Sequence, residues 1–321
     1  MNQVQPEFQK RFSNRVIVAL ILTGIAIPSL ILGDWWIIIF STIGLSFAAQ
    51  EIMAVKQGTV YPLPIRVFVY FMMVAMVFYI FIENNLRNAG FDFSQWSFFY
   101  GLDAVVIPTT LLTILAATLF FSSITDVRFK VPDATYLITM AVLLALAFQG
   151  FLFLRFFPQR LFGDERSLWV ESSLLLYAGI GTFMTDIGAY LIGTFFGKHK
   201  MNVRVSKNKT WEGFFGGVAV SFIFSFAFAM LLAASGNPLL PFLTLNEWYW
   251  ILILSLGMPL IATLGDFTFS LIKREFGVKN FSNILGEHGG LLDRIDSFSM
   301  VCLTLALIIS LLFEFIYSLP I

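Results

Sequence analysis

Long apolar stretches set the strongest limit on what this chain can fold into. A helix that crosses a bilayer needs about 20 mostly apolar residues. The chain contains nine stretches of roughly that length, at residues 15–33, 35–55, 67–83, 104–124, 134–155, 172–196, 212–235, 247–272 and 297–318. Charged residues make up 12% of the chain, whereas soluble domains carry about 25%. We therefore predict an all-α integral membrane protein with about nine transmembrane helices.

The placement of Lys and Arg predicts the orientation of these helices. Sixteen of the 20 Lys and Arg residues fall in the N-terminal tail and in alternate loops, and the other four are Arg87, Arg155, Arg160 and Arg166. Because loops rich in Lys and Arg face the cytoplasm, we predict a cytoplasmic N-terminus and charge-dense loops on that side. The short tails favour a bacterial plasma membrane over the membrane of an organelle.

Charge and cysteine content exclude several classes of protein. The formal net charge is zero, so no overall field would attract nucleic acid, and we expect no such partner. A single cysteine, Cys302, excludes an internal disulfide framework. The chain divides by composition into residues 1–165, five apolar helices predicted to act as a scaffold, and residues 166–321, four helices whose cytoplasmic loops are predicted to be catalytic.

Charge is concentrated in one short stretch, from Asp266 to Asp296. These 31 positions hold nine of the forty Asp, Glu, Lys and Arg residues. Ionisable residues between membrane helices are candidates for a functional site. On a helix, Asp266, Ser270 and Lys273 share one face, and Asp293 and Asp296 share one side of the next helix. The stretch therefore predicts carboxylates and cations gathered at one membrane surface.

Two further features point to the same chemistry. Asp186 lies inside the sixth apolar stretch, where a carboxylate costs at least about 2.5 kcal/mol, so a cation, a polar cavity or a polar helix contact must compensate it. The following loop holds five Lys and Arg residues between positions 198 and 209, more than orientation alone requires. Clustered cations suit phosphates, and carboxylates suit Mg²⁺. We predict a metal–phosphate site.

The residues from Ser270 to Asp296 resemble the signature of the phosphatidate cytidylyltransferases, also called CDP-diacylglycerol synthases. The matching positions are Ser270, Ile272, Lys273, Arg274, Lys279, Gly286, His288, Gly289, Gly290, Leu291, Asp293, Arg294, Ile295 and Asp296. The sequence around Asp186 and the Lys-Thr-Trp-Glu-Gly segment that begins at Lys209 resemble two further family features, in the same order. The chain departs from the signature at Asn280, where the family usually carries Asp.

The resemblance implies an enzyme that converts CTP and phosphatidate into CDP-diacylglycerol and diphosphate, with Mg²⁺ as cofactor and a second cation left open. It implies catalytic roles for Asp266, Asp293, His288 and Lys273. Substrate binding would fall to Lys209, Arg274, Lys279, Gly289, Gly290, Arg294 and Arg204. Metal ligands would be Asp266, Asp293, Asp296 and Asp186. The partners would be CTP and membrane lipid, and a homodimer is left open.

Three other functions are compatible with parts of the sequence. One is a CTP-dependent enzyme that acts on another lipid phosphate or on a polyprenol. Another is a transporter that uses Asp186 and Asp266 as a relay for protons or cations. A third is a non-catalytic membrane assembly factor, to which Asn280 gives slight support.

Overall fold

The computed structural model describes residues 34–56, 61–88, 103–162, 168–284 and 289–318, together with Gly24, Pro28 and Gly286. Eight long helices occupy these ranges. They are α1 (Asp34–Ala54), α2 (Leu63–Asn88), α3 (Asp103–Thr125), α4 (Val131–Phe162), α5 (Leu168–Phe196), α6 (Trp211–Ala234), α7 (Trp248–Glu275) and α8 (Leu292–Ser318). Two short strands, β1 (Lys200–Asn202) and β2 (Ser206–Thr210), form an antiparallel hairpin between α5 and α6.

The apolar stretches do form membrane-length helices. Among the described residues, seven helices are long and apolar enough to cross a membrane, and α2 contributes a shorter apolar part, Leu63–Tyr79. The predicted all-α membrane protein is therefore confirmed as a class, with the hairpin as its one piece of sheet in the described ranges. The predicted first helix, residues 15–33, lies outside the described residues except for Gly24 and Pro28.

The chain forms two compact units, whose boundaries fall inside α1 and α4. The described part of one unit comprises residues 42–149, and that of the other comprises residues 34–41 and 150–318. In the 42–149 unit, the Lys56 ammonium lies 2.6 Å from Asp133 Oδ1. The Tyr61 ring meets Phe129 edge-to-face at 5.7 Å between centroids. The split into a scaffold and a catalytic half at residue 165 stays a prediction.

The larger unit carries the residues of the predicted site, and its core is made by α5 to α8 with the last turns of α4. Leu175, Leu254, Met258, Val301 and Leu305 are all buried there. Polar side chains inside this core are paired between helices, as an apolar surrounding requires. The Tyr177 hydroxyl lies 2.7 Å from Ser255 Oγ. The guanidinium of Arg155 lies 3.5 Å from Glu171 Oε2, and both side chains are almost fully buried.

Glycines bring α5 and α6 into close backbone contact. A Cβ atom added at Gly188 would lie 2.8 Å from Val220 Cβ, and one at Gly217 would lie 2.7 Å from the Thr185 carbonyl oxygen. The Ser221 hydroxyl also donates to the Gly181 carbonyl oxygen at 2.6 Å. Small residues permit this approach in membrane helix pairs, and the seam fixes the helix that carries Asp186.

We expect Gly217→Ala to destabilise this seam, although alanine is normally the better helix former. The added methyl group has no room beside the Thr185 carbonyl, and overpacking costs about 1–3 kcal/mol. Gly257→Ala is the matched control, because Gly257 lies in α7 with nothing within 4 Å of an added Cβ. Thermal unfolding of the purified protein in detergent should show a lower midpoint for Gly217→Ala alone. Equal midpoints for the two variants would contradict the close packing.

Residues 200–210, which the sequence indicated as part of a basic loop, form the β1–β2 hairpin. Its base is closed by the Trp211 amide, which donates to the His199 carbonyl oxygen at 2.9 Å. At its turn, Asn202 Oδ1 accepts from the Arg204 and Val205 amides at 3.1 and 3.4 Å, the kind of local bond that makes Asn common in turns. Thr210 then caps α6, since its hydroxyl oxygen accepts from the Gly213 amide.

Candidate active site

The site is built where α7 ends and the chain turns back into α8. Gly277, with φ +68°, stops α7: its amide donates to the Arg274 carbonyl oxygen, and the Val278 amide donates to that of Lys273. This paired bonding with a left-handed glycine is a common helix stop. As a result the last turn of α7, with Lys273 and Arg274, faces the first turn of α8.

A buried ion pair joins the two helices. Lys273 Nζ lies 2.8 Å from Asp293 Oδ1 and 4.0 Å from Asp296 Oδ2. The three side chains are only 9%, 7% and 13% exposed. The ammonium also lies 5.5 Å from the centre of the Phe281 ring. Because a buried charge needs partners, Lys273 and the two aspartates stabilise one another in this position.

Asp293 also fixes the loop between the helices. Its second oxygen, Oδ2, accepts hydrogen bonds from the amides of Phe281 at 3.0 Å and Gly290 at 2.9 Å. Gly289 has φ +81°, and a Cβ there would lie 2.8 Å from Asp293 Oδ2 and 3.1 Å from Asn280 Cγ. Only glycine fits both the conformation and the space. Asn280, the departure from the signature, is therefore a neighbour of the Asp293 carboxylate.

A second ion pair lies beside the first. Lys209 Nζ, on β2, lies 2.6 Å from Asp266 Oδ2, and these side chains are more open, at 25% and 29% exposed. The Ser270 hydroxyl donates to Asp266 Oδ1 at 3.2 Å. Asp186, on α5, interacts electrostatically with Asp266 and Lys209, and Asp296 interacts with both aspartates. The two pairs therefore form one cluster contributed by α5, β2, α7 and α8.

The cluster has the composition of a cation-binding site. When all are ionised, its four aspartates and two lysines carry a net charge of minus two, which one divalent cation would offset. Among the described residues, no three His, Cys, Asp or Glu side chains converge closely enough to hold a metal by themselves. Mg²⁺ typically binds through one or two carboxylates together with waters and substrate phosphates. The donors present fit such a shared ion.

Other residues predicted for the site lie at its edge or outside the described ranges. The Arg274 guanidinium donates to the carbonyl oxygens of Val278 at 2.9 Å and Val205 at 3.4 Å, and so ties the loop to the hairpin. The side chains of Lys279 and Arg294 are exposed, and Arg204 is exposed in the hairpin turn, away from Lys209 along the strand. His288 lies outside the described residues.

One pairing was missed by sequence reasoning. His199 Nδ1 lies 2.5 Å from Glu212 Oε1, and Glu212 also accepts from the amides of Lys198 and His199. These contacts anchor the hairpin to the first turn of α6. The sequence signal was the acidic residue two positions after the capping threonine Thr210, a common place for carboxylates at a helix start.

Comparison with known proteins shows the family to which the chain belongs. The sequence pattern described as the cytidylyltransferase family matches residues 13–312. The chain belongs to this family. The match takes in α1 to α7, both strands and most of α8, so membership applies to both units of the chain and extends well beyond the signature residues.

Individual relatives agree with this assignment. A phosphatidate cytidylyltransferase of Staphylococcus aureus is 30% identical over 288 residues, covering 89% of this chain and 95% of that protein. One from Staphylococcus haemolyticus is 29% identical over 287 residues, with the same coverage. One from Staphylococcus epidermidis is 35% identical over 174 residues, covering 54% of this chain and 58% of that protein. The similarity to the first two is thus spread along nearly the whole chain.

Proposed function

We propose that the protein is a phosphatidate cytidylyltransferase, which joins the CMP part of CTP to phosphatidate and releases diphosphate. The observation that carries the proposal is the cluster of four aspartates and two lysines, three of which (Lys273, Asp293 and Asp296) are signature residues at the α7–α8 junction. The similarity to enzymes that bear this name along nearly their full length supports the same activity.

The reaction requires no covalent intermediate with the protein. A phosphate oxygen of phosphatidate attacks the α-phosphorus of CTP, a new P–O bond forms, and the bond to the bridging oxygen breaks as diphosphate leaves with its electron pair. Such transfers depend on in-line positioning and on neutralising charge. The lysines serve that need: Lys209, on the open side of the cluster, would bind the triphosphate, and Lys273 would hold the aspartates that face it.

The aspartates have distinct tasks in this proposal. Asp266 would bind Mg²⁺ together with waters and substrate phosphates, with Asp296 and Asp186 as further candidate ligands, and the ion would neutralise charge on the departing diphosphate. A second cation stays open. Asp293, with both oxygens already engaged by Lys273 and two backbone amides, positions the loop, and a place for it in the metal shell stays a prediction. Gly289 and Gly290 would let that loop approach the nucleotide closely, and Arg274, Lys279 and Arg294 would bind its phosphates. A role for His288, which precedes Gly289 in the sequence, stays a prediction.

The membrane arrangement follows from the substrates. Phosphatidate keeps its acyl chains in the bilayer while CTP arrives from water, so a site at the end of membrane helices can meet both. We propose nine spans, a cytoplasmic N-terminus and a site on the cytoplasmic face of a bacterial plasma membrane, in accord with the distribution of Lys and Arg.

An assay with labelled CTP tests the function directly. The purified protein in lipid–detergent micelles should form CDP-diacylglycerol from phosphatidate and release diphosphate, and it should need a divalent cation. Polyprenol and polyprenyl phosphate serve as rival acceptors. Release of CDP would instead indicate a kinase, and ion or proton flux in sealed vesicles without CTP would indicate a transporter. Absence of any CTP-dependent product with a folded protein would favour an assembly factor.

We expect Lys209→Met to raise the KM for CTP at least about tenfold, because charge-assisted contacts to phosphate are worth about 1.5–3 kcal/mol. The protein should stay folded, since the Lys209–Asp266 pair is partly exposed and exposed pairs contribute about 1 kcal/mol or less. Lys130→Met is the control, as Lys130 is an exposed lysine before α4. An unchanged KM for CTP in Lys209→Met would exclude the assigned contact.

A further inference from the structure

We propose that the β1–β2 hairpin is a docking surface for anionic lipid headgroups. Its ligands would be the phosphate-bearing headgroups of the bilayer in which the protein sits, and it would contact them through Lys198, Lys200, Arg204 and Lys207. This surface is distinct from the cluster of aspartates and lysines, and binding to it does not require that the proposed reaction be correct.

The fold confines the hairpin to the membrane surface. The membrane-length helix α5 ends at Phe196, and α6 begins at Trp211 directly after β2. The longer strand has five residues, which span at most about 17 Å. Electrostatic attraction to a charged surface persists over about 8–10 Å in physiological salt. Much of the hairpin therefore lies within reach of the headgroup charge.

The hairpin carries strong positive charge without internal compensation. No Asp or Glu lies between Asp186 and Glu212, whereas five Lys and Arg residues lie between positions 198 and 209. Lys209 is turned inward to Asp266. The other four side chains are exposed, and within the described ranges none of them forms an ion pair with a carboxylate. Polybasic segments of this kind next to membrane helices are attracted to anionic lipid.

The hairpin also offers apolar side chains at the same surface. Val203, at the turn beside Arg204, is 58% exposed, and Trp211, where β2 meets α6, is 46% exposed. Tryptophan is enriched at the level of the headgroups. Cations interleaved with exposed apolar residues suit the membrane–water interface, where charged headgroups lie above apolar acyl chains. Binding of a triphosphate from water would not require the apolar side chains.

The hairpin is held in a fixed position relative to the aspartate cluster. Besides the Lys209–Asp266 pair, the Arg274 side chain donates to the Val205 carbonyl oxygen at 3.4 Å, and Glu212 binds the base of the hairpin at His199. Anionic lipid gathered by the outer cations would therefore accumulate next to the cluster. Where the proposed function holds, this lipid includes the acceptor substrate.

The test measures the polarity around the hairpin turn with a fluorophore and does not depend on enzyme activity. Cys302 is the single cysteine of the chain and is buried, so Val203→Cys in a Cys302→Ala background can carry one environment-sensitive fluorophore. The labelled full-length protein is reconstituted into vesicles of phosphatidylcholine alone or with phosphatidylglycerol. We expect a blue-shifted and stronger emission with the anionic lipid, reversed by high salt because salt screens the attraction.

Charge-neutralised variants decide the assignment. Lys200→Gln, Arg204→Gln and Lys207→Gln together should abolish the response to anionic lipid. The control removes the same number of exposed cations elsewhere, through Arg66→Gln, Arg128→Gln and Lys130→Gln, and should keep it. An emission spectrum that is the same in both kinds of vesicle would overturn the proposal. So would a response to anionic lipid that is unchanged in the variant with the neutralised hairpin. A shift produced by CTP in uncharged vesicles, with none produced by lipid, would assign the cations to the nucleotide instead.

Discussion

Asp293→Asn should reduce transfer of the cytidylyl group at least about a hundredfold, the scale of loss expected when reacting groups are misplaced by about 1 Å. The wild-type carboxylate accepts on both oxygens, from Lys273 on one and from the amides of Phe281 and Gly290 on the other. Asparagine has one acceptor oxygen. Whichever way its amide turns, an N–H group faces either the ammonium or two backbone donors, so the loop loses its anchor.

The measurement is turnover of labelled CTP, beside a check on folding by size-exclusion elution and thermal unfolding. Asp126→Asn is the control, because it makes the same chemical change at a residue outside the signature, an aspartate that pairs at 3.0 Å with an exposed arginine, Arg128. We expect that variant to turn over CTP normally. Near-normal turnover in Asp293→Asn would remove Asp293 from any essential role.

Lys273→Met should lower both stability and activity. Its removal leaves Asp293 and Asp296 buried beside each other without their cation. Breaking a buried ion pair by removing one partner costs about 3–5 kcal/mol, and a large part of that cost is the charge left behind. We expect a clearly lower unfolding midpoint in detergent and turnover near the detection limit.

A double variant separates the lost charge from the lost contact. Lys273→Met with Asp293→Asn removes one charge of each sign, so its unfolding midpoint should exceed that of Lys273→Met alone. Independent sites would instead give additive losses. Additivity here, or a wild-type midpoint for Lys273→Met, would mean that the pair contributes nothing to folding.

The helices were predictable because the bilayer imposes one length and one composition on every span. Apolar stretches two to nine each coincide with one of α1 to α8. The ends of the helices were less predictable. The helix α4 continues to Phe162, past the predicted end at residue 155, because Arg155 is paired with Glu171 inside the core and so does not end the helix. The hairpin was missed, since its basic residues hide any alternation of apolar and polar positions.

The site was predictable in its membership and less so in its pairing. Helical periodicity correctly indicated that Asp266 and Ser270 are neighbours, because that contact lies within one helix. It could not indicate that Lys273 bonds across to Asp293 while Asp266 bonds to Lys209, since those contacts depend on how α7, α8 and β2 pack. The position of Asn280 likewise could not be predicted from the sequence, because its side chain lies beside Gly289 only in the folded loop.

The buried pair of Arg155 and Glu171 has a consequence for how the chain enters the membrane during synthesis. Either helix alone would bring one of these charges into the apolar core unpaired, which is costly because a buried charge needs a partner. Together the two helices shield both charges. The partners are 16 positions apart in the chain, and Glu171 lies in the first turn of α5, so the pair can form as soon as α4 and the start of α5 are both present.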